Sequence, residues 1–375
     1  MATQLFVPSF RVDECLVQIK ECLEKGWTGL GFKTIEFEKA WCEYTQLPHA
    51  HFLSSNTVGL HLALNVFKTK YGWNDGDEVL VTPLTFVSSN HAVLYESLQP
   101  VFVDVDDSLC MSLADVELKI TDKTRAVLFV GIGGNVGQYA EIVELCQKRS
   151  IKIILDAAHM AGTRVDGKHV GHEADVVVFS YQAVKNLPTA DSGMICFASA
   201  DDDHYARKLA WLGINKDTYS RTTSEGAYKW KYDVEDVGFK YHGNSIMAAI
   251  ALVQLKYLDL DNSYRRQLAT WYAQELIDAP AVRIVEHSAR CESSRHLFQV
   301  KVTNRDDLMM SLNKHQIYPG VHYRDNTHYR MYAYAAGTCP RARAASDEIL
   351  SLPMHLGLNH RDICRITECL KLYAK

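Results

Sequence analysis

Two apolar segments near the middle of the chain end in polar residues whose types could support catalysis. One segment is followed by Asp156 and His159, and the next comparable segment is followed by Ser180 and Lys185. In an open α/β sheet, ligands bind at the carboxyl ends of the strands. The sequence therefore predicts that an acid, an imidazole, a hydroxyl and an amine lie together at one edge of a sheet.

An acid and a lysine at such an edge are suited to pyridoxal phosphate. The lysine holds the aldehyde of this cofactor as a Schiff base, and the acid pairs with the protonated pyridine nitrogen, which keeps the ring an electron sink. Lys185 needs a lowered pKa for this role, which partial burial and the charges of the cofactor would supply. Taken alone, the pair fits an ordinary turn cap at Asp156 and a surface lysine better, so the assignment depends on further motifs.

A phosphate site is expected where the short apolar segment 51–53 leads into a helix. Ser55, Asn56 and Thr57 stand at that junction, where free backbone N–H groups, the helix dipole and side-chain hydroxyls favour an anion. Phe86 follows the end of another apolar segment, from where its ring could stack on a pyridine ring. Ordinary N-capping and a core phenylalanine are the alternatives for these two motifs.

The glycine-rich segment 131–137 superficially resembles a dinucleotide-binding loop. It lacks the G-x-G-x-x-G spacing, and a basic-acidic ribose contact at the expected distance is not evident. The sequence therefore argues against nicotinamide binding.

These residues lie in a chain that alternates short β-rich runs with helical patterns between about residues 55 and 197. Most runs are continuously apolar, which is typical of a mostly parallel sheet covered by helices on both faces. The sequence thus predicts an α/β fold. The expected strands are 78–82, 100–105, 126–130, 151–155, 175–180 and 193–197, and the expected helices between them are 58–71, 88–96 and 139–149.

The pattern changes after about residue 244. We expect a large α/β domain over residues 1–245 and a smaller α+β domain over residues 246–375. The second domain should contain strands at 297–302 and 321–323 and helices at 245–259, 264–278, 305–315, 341–349 and 360–372.

The composition excludes several other classes of protein. The net charge is −5, and no stretch is long and apolar enough for a membrane span, so we expect neither a nucleic-acid nor a membrane partner. No signal peptide precedes the first motifs. The ten cysteines include no C-x-x-C pair, which indicates reduced thiols in a cytoplasmic protein. The sixteen histidines include no helical H-x-x-x-H pair with a third ligand, so no metal is expected.

Taken together, the motifs resemble the DegT/DnrJ/EryC1/StrS family of sugar aminotransferases, which belongs to the aspartate aminotransferase (fold type I) superfamily. The strongest match is Phe179-Ser-Tyr-Gln-Ala-Val-Lys-Asn186. The resemblance extends almost end to end, through residues 26–31, 37–38, 55–57, 85–87, 100–104, 156–159, 238–242, 248–255, 321–323 and 351–353.

The resemblance implies a seven-stranded type of sheet sandwiched by helices, and pyridoxal 5′-phosphate as the cofactor. It implies that Lys185 bonds to the cofactor and then moves protons, that Asp156 faces the pyridine nitrogen, and that His159 lies near the ring oxygen. By the same resemblance, Phe86 stacks on the ring. The residues that it assigns to the phosphate are Asn56, Thr57 and Ser180.

In this family a second subunit completes each active site through the segment that matches residues 238–242, so the resemblance also implies a homodimer. Three departures from the family pattern stand out. Asn56 replaces the usual glycine of the phosphate turn, and residues 189–193 differ from the usual Thr-Gly-Glu-Gly-Gly. Lys240 and His242 replace an asparagine and an arginine of the partner loop, and Lys240 would reach the phosphate as a point charge.

The resemblance implies transamination from an amino acid, usually glutamate, to a nucleotide-linked keto sugar, most often a 4-keto-6-deoxyhexose. This is the chemistry of amino-deoxysugar and surface polysaccharide biosynthesis, including the O-antigen of lipopolysaccharide. The carboxylate and diphosphate of such substrates need cationic or hydrogen-bonding partners. The candidates are Arg221, His322, Tyr323 and Arg324, although solvated loop positions explain these residues equally well.

Three other functions remain open. One is an aminotransferase for a 3-keto sugar. Another is a sugar dehydratase that uses pyridoxamine phosphate, although that branch of the family usually carries histidine at the position of Lys185. The last is a regulator that retains the fold without catalysis.

Overall fold

The computed structural model describes residues 2–215 and 232–375. The strands in chain order are β1 His51–Leu53, β2 Glu78–Val81, β3 Gln99–Phe102, β4 Thr124–Val130, β5 Lys152–Asp156, β6 Arg164–Val165, β7 Lys168–His169, β8 Val176–Ser180, β9 Gly193–Phe197, β10 Arg283–Ile284, β11 Cys291–Glu292, β12 Phe298–Lys301 and β13 Ile349–Leu352. The α-helices are α1 Val12–Glu24, α2 Phe32–Thr45, α3 Asn56–Tyr71, α4 Val87–Tyr95, α5 Leu113–Lys119, α6 Tyr139–Arg149, α7 Ala200–Ala210, α8 Ser245–Leu255, α9 Leu258–Glu275, α10 Arg305–Lys314, α11 Pro340–Glu348 and α12 His360–Tyr373.

A seven-stranded sheet with the order β1-β9-β8-β5-β4-β2-β3 forms the centre of the larger part. All neighbours pair in parallel except β9, which is antiparallel to both β1 and β8. Strands β8 and β9 are buried along their whole length. This burial explains the continuously apolar runs, because helices cover both faces of the sheet.

The topology carries several chain segments to one edge of this sheet. Strands β2, β4, β5 and β8 run in parallel, and β1 has the same direction because it lies two strands from β8 across the antiparallel β9. The carboxyl ends of all five strands therefore lie at the same edge. The order of the strands across the sheet also reverses at β2. Such a reversal is a topological switch point, and open α/β sheets bind ligands at these points.

The C-terminal part contains a second, smaller sheet with the order β10-β12-β13. Both pairs of strands are antiparallel. Its core is separate from that of the large sheet and centres on the stacked rings of Tyr272 and Phe298, whose centroids are 4.7 Å apart. Helix α8 packs instead against α1 and α2. The division into domains at residues 245 and 246 remains our proposal.

The expected α/β class is confirmed, and each of the six strands expected between residues 78 and 197 is present with bounds shifted by a few residues. The expected strand at 321–323 is wrong. Only Gly320 bridges to Ser351, after which the chain leaves the small sheet and the ring of Tyr323 packs near His159. The sequence also missed β13, where Ile349–Leu352 pairs with β12.

No helix in the described parts of the chain combines the length and the apolar character that a membrane span requires.

Candidate active site

A cleft of about 450 Å³ opens at the carboxyl edge of the large sheet. Most of the residues that the sequence singled out line it together: Asn56, Thr57, Phe86, Asp156, His159, Ser180, Lys185, His322 and Tyr323. Three expected residues are not among them. Arg324 lines a neighbouring pocket, Lys240 lies over the ring of Trp211, and Arg221 falls outside the described residues.

Asp156 ends β5 and accepts hydrogen bonds from two other segments and from its own turn. Its Oδ1 accepts from Asn56 Nδ2 at 3.2 Å and from the Ala158 backbone N–H at 3.1 Å, while its Oδ2 accepts from Ser89 Oγ at 2.8 Å. A carboxylate can accept about four hydrogen bonds, so one position on Oδ2 remains. Burial raises the pKa of this carboxyl despite these donors and the nearby Lys185. The site therefore favours a cationic N–H donor at Oδ2.

Lys185 lies in the turn after β8, where its backbone N–H donates to the carbonyl of Gln182 at 2.8 Å. Burial lowers the pKa of its amine to about 8, and the carboxylate of Asp156 opposes this shift only in part. A lysine with this pKa has a substantial neutral fraction near pH 8. The neutral amine is the form that attacks an aldehyde.

The N-terminus of α3, where we expect an anion site, opens onto the cleft. Ser55 caps this helix, and its Oγ accepts from the Val58 backbone N–H at 3.3 Å. The first backbone N–H groups of the helix, at Asn56 and Thr57, have no helical acceptors and border the cleft. Ser180 lines the same end of the cleft. Hydroxyl and backbone donors thus converge where a phosphate would sit.

The side chain of Asn56 has a different role from the one expected. Its Nδ2 donates to Asp156 Oδ1 and to the carbonyl of Val178 at 3.1 Å, so both amide protons face the sheet. Any contact of Asn56 with a phosphate must therefore come from its backbone N–H. The side chain of Asn56 thus supports Asp156.

Gly193 explains how β9 fits beside this turn. A Cβ atom at position 193 would lie 2.6 Å from the Ser55 carbonyl carbon and 2.7 Å from the Asn56 nitrogen. Such distances to backbone atoms exclude any side chain. The glycine therefore allows the phosphate turn to lie directly against β9.

The backbone of the glycine-rich segment 131–137 holds His159 in one tautomer. The Gly133 backbone N–H donates to His159 Nδ1 at 3.1 Å, and burial, Lys185 and His322 lower the pKa of the ring well below its usual value. The neutral ring therefore carries its proton on Nε2, which lies 3.2 Å from the hydroxyl of Tyr323. His159 is thus a fixed N–H donor at the wall of the cleft.

His296, which the sequence did not single out, packs against His159 with the ring centroids 4.3 Å apart and the ring planes tilted by 36°. Asn186 Nδ2 donates to Asn262 Oδ1 and to the Ser294 carbonyl, both at 2.7 Å, so Asn186 Oδ1 accepts from His296 Nδ1 at 2.9 Å. Burial lowers the pKa of His296 well below its usual value. Its neutral ring therefore has an unprotonated Nε2, and the two neighbouring imidazoles have opposite tautomers.

Phe86 completes the cleft with an apolar surface. Its side chain is 58% exposed, which is unusual for a large apolar residue beside a fully formed core, and it borders the cleft near Tyr323. An exposed ring at this place matches the expectation that Phe86 stacks on a flat ligand.

The comparisons with known proteins agree with this geometry. Residues 11–371 match the model of the DegT/DnrJ/EryC1/StrS aminotransferase family. Uncharacterized protein MJ1066 of Methanocaldococcus jannaschii is 29% identical over 388 residues, covering 99% of this chain and 98% of that protein. The aminotransferase TlmJ of Streptoalloteichus hindustanus has a solved structure that is 30% identical, with a TM-score of 0.89 and coverage of 99% of this chain and 98% of that one. Spr1654 of Streptococcus pneumoniae, solved in its PLP form, is 26% identical with a TM-score of 0.90, over 99% and 98% of the two chains.

The chain belongs to the DegT/DnrJ/EryC1/StrS aminotransferase family, and thus to the fold type I enzymes that use pyridoxal phosphate. Its class is that of the sugar aminotransferases. The residues present fit the cofactor. Asp156 retains a free acceptor position, α3 offers free N–H groups, Phe86 exposes its ring, and Lys185 has a lowered pKa.

The lowered pKa of Lys185 predicts how fast cofactor-free protein takes up pyridoxal phosphate. The rate should rise with pH up to about 8 and then level off, because only the neutral amine reacts. In Asp156→Asn the midpoint should move below 8, since the lost carboxylate no longer stabilises the protonated amine. The visible absorbance that develops after mixing measures this rate. Asp191→Asn, also at the cleft, is the control and should keep the midpoint; equal shifts in both variants would contradict the assignment.

Gly193→Ala should weaken cofactor binding by roughly tenfold to a hundredfold, because overpacking against backbone typically costs about 1–3 kcal/mol. Titration of the absorbance with pyridoxal phosphate gives the dissociation constant. Gly29→Ala is the matched control, since a Cβ atom there meets nothing within 4 Å. Unchanged affinity in Gly193→Ala would show that the α3 turn does not hold the phosphate.

Proposed function

We propose that this enzyme transfers an amino group from an amino acid, with L-glutamate as the donor, to a nucleotide-linked keto sugar, with a 4-keto-6-deoxyhexose as the acceptor. The observation that carries the proposal is the buried Lys185 amine in one cleft with the buried Asp156 carboxylate. The family and the known sugar aminotransferase CalS13 of Micromonospora echinospora, which is 27% identical, support a sugar as the acceptor. The product would enter amino-deoxysugar and surface polysaccharide biosynthesis, such as that of lipopolysaccharide O-antigen.

The residues of the cleft would have different roles in binding the cofactor and in moving protons. Pyridoxal phosphate, when bound, supplies the electron sink that stabilises a carbanion. Asp156 would hold the pyridine nitrogen through Oδ2, and the α3 N-terminus with Thr57 and Ser180 would hold the phosphate. Lys185 Nζ would move a proton from the α-carbon of the donor to the cofactor in the first half of the reaction, and from the cofactor to the sugar carbon in the second half. His159 would donate its Nε2–H to the ring oxygen.

We assign the mouth of the cleft to the sugar. His322 and Tyr323 lie there, and burial lowers the pKa of His322 to about 4, so that it acts as a neutral hydrogen-bonding group. Arg324 lines the adjacent pocket with Arg305 and His328. Arg305 donates to two backbone carbonyls, which leaves Arg324 as the better partner for a diphosphate.

We further propose a cytoplasmic homodimer with shared active sites. In its own subunit the amine of Lys240 lies 3.3 Å from the centroid of the Trp211 ring and does not line the cleft, which is consistent with a role in the site of a second subunit. Helix α1 also exposes apolar side chains to solvent: Val12, Leu16, Val17 and Leu23. All ten cysteines are free thiols, as a reducing compartment favours.

Lys185→Ala should abolish turnover with glutamate while the fold persists. Among the residues that the structure describes, no other lysine lines the cleft. Activity assays and circular dichroism of the purified variant measure the two properties. Substantial remaining turnover in a folded variant would refute the role of Lys185.

The sugar is tested by presenting the pyridoxamine form of the enzyme with a panel of nucleotide-linked 4-keto and 3-keto sugars. Loss of the pyridoxamine absorbance with a 4-keto-6-deoxyhexose is the expected result. Discharge by 3-keto sugars alone would move the reaction to C3, and elimination of a hydroxyl would indicate the dehydratase. If no sugar reacts although glutamate converts the cofactor, the sugar proposal fails and the cofactor assignment stands.

A further inference from the structure

The end of α9 and the start of α12 bring three metal-ligating side chains together in the C-terminal part. Across residues 2–215 and 232–375, a single group of three or more His, Cys, Asp or Glu residues has ligand atoms that all lie within 4.8 Å of one another. Its members are Glu275, His360 and Cys364. None of them lines the active-site cleft, so the group has no part in the chemistry described above.

The packing of α9 against α12 brings these three side chains together. His360 and Cys364 are four residues apart on α12, so they lie on the same face one turn from each other. Glu275 is the last residue of α9, which packs against α12. The sequence search for metal sites missed the group, since it looked for paired histidines and Glu275 is remote in the chain.

Glu275 and Cys364 each lie about as far from a nitrogen of His360 as two ligands of a tetrahedral site lie from each other, and all three ligand atoms lie within 4.8 Å of one another. Glu275 Oε1 lies 3.4 Å from His360 Nε2, and Cys364 Sγ lies 3.7 Å from His360 Nδ1. With zinc bonds of about 2.0–2.3 Å, ligand atoms in a tetrahedral site are roughly 3.3–3.7 Å apart. The two neighbours approach different ring nitrogens, so one nitrogen can serve the metal after a rotation of the exposed imidazole.

The charges in the group also favour a cation. The carboxylate of Glu275 and a thiolate at Cys364 would repel each other, because their ligand atoms lie within 4.8 Å. A divalent cation bound between them would reverse this repulsion. The ring of Trp271 contacts His360 edge-on, with centroids 5.2 Å apart, and limits where the imidazole can go.

We propose that Glu275, His360 and Cys364 bind a zinc-class divalent ion, with water as the fourth ligand, which joins the end of α9 to the start of α12. Thiolate and imidazole ligands select zinc over magnesium or calcium, which prefer oxygen ligands. The site would be structural for the small domain. It does not depend on the transaminase function, so either proposal can fail without the other.

The test is a calorimetric titration with Zn²⁺. The sample is the full chain with its cofactor bound, after a chelator has removed any metal. One equivalent should bind per chain, more tightly as the pH rises, since the thiol must lose its proton. Cys364→Ser and His360→Ala should each weaken binding by more than about tenfold, since even substitutions beside a ligand cost roughly 10–100-fold in metal affinity. Cys369→Ser, which removes another partly exposed thiol of the same helix, is the control and should bind like the original protein.

The absorption spectrum of bound Co²⁺ identifies the side chains that bind the metal. In the original protein it should give a thiolate-to-cobalt charge-transfer band in the near ultraviolet, read as the difference from the cobalt-free holoenzyme. It should also give the intense ligand-field bands of a tetrahedral site at longer wavelengths, where pyridoxal phosphate does not absorb. Both signals should be lost in Cys364→Ser and kept in Cys369→Ser. Absence of Zn²⁺ binding, a cobalt spectrum without a thiolate, or equal affinity in all variants would overturn the proposal. Circular dichroism of the metal-free variants establishes that they are folded.

Discussion

The buried carboxylate of Asp156 is the constraint on which the rest of the cleft depends. A charge in this position is costly unless other groups compensate it. Asn56 and Ser89 provide donors from the starts of two helices, Ala158 provides a backbone N–H, and Lys185 provides a positive charge from the next strand. Each partner comes from a different loop at one sheet edge. The carboxylate can therefore remain charged only when these loops are assembled correctly, which ties the integrity of the site to that of the fold.

The large sheet achieves this assembly by close approach of backbones. Gly193 lets β9 lie against the turn at Ser55 and Asn56, and Gly133 turns its N–H toward His159 with a φ of 63°, in the left-handed region that favours glycine. A side chain at position 193 would push β9 away from the turn at Ser55 and Asn56. The glycine-rich segment 131–137 thus supports the ring of His159, and its likeness to a dinucleotide loop is superficial.

Much of this could be predicted from the sequence because the signals were local. The end of an apolar strand places Asp156 and Lys185, and the strand-to-helix junction places Thr57. The rest depends on contacts between distant segments. Nothing near Asn56 indicates that its amide faces Asp156, and His296 resembles an ordinary residue before a strand until Asn186 and His159 are beside it. The segment 321–323 has strand-like composition, yet Tyr323 is drawn toward His159, and this contact replaces pairing in the small sheet.

The three histidines around Lys185 do not titrate in the same pH range as its amine. Burial lowers the pKa of His322 to about 4, and it lowers the pKa values of His159 and His296 well below their usual range. All three rings are therefore neutral near pH 8 and present fixed donors or acceptors. The amine of Lys185, with its pKa of about 8, changes its charge in that range. In the proposed mechanism burial would thus separate two tasks: the imidazoles would orient the ligands, and the amine would exchange protons with carbon atoms.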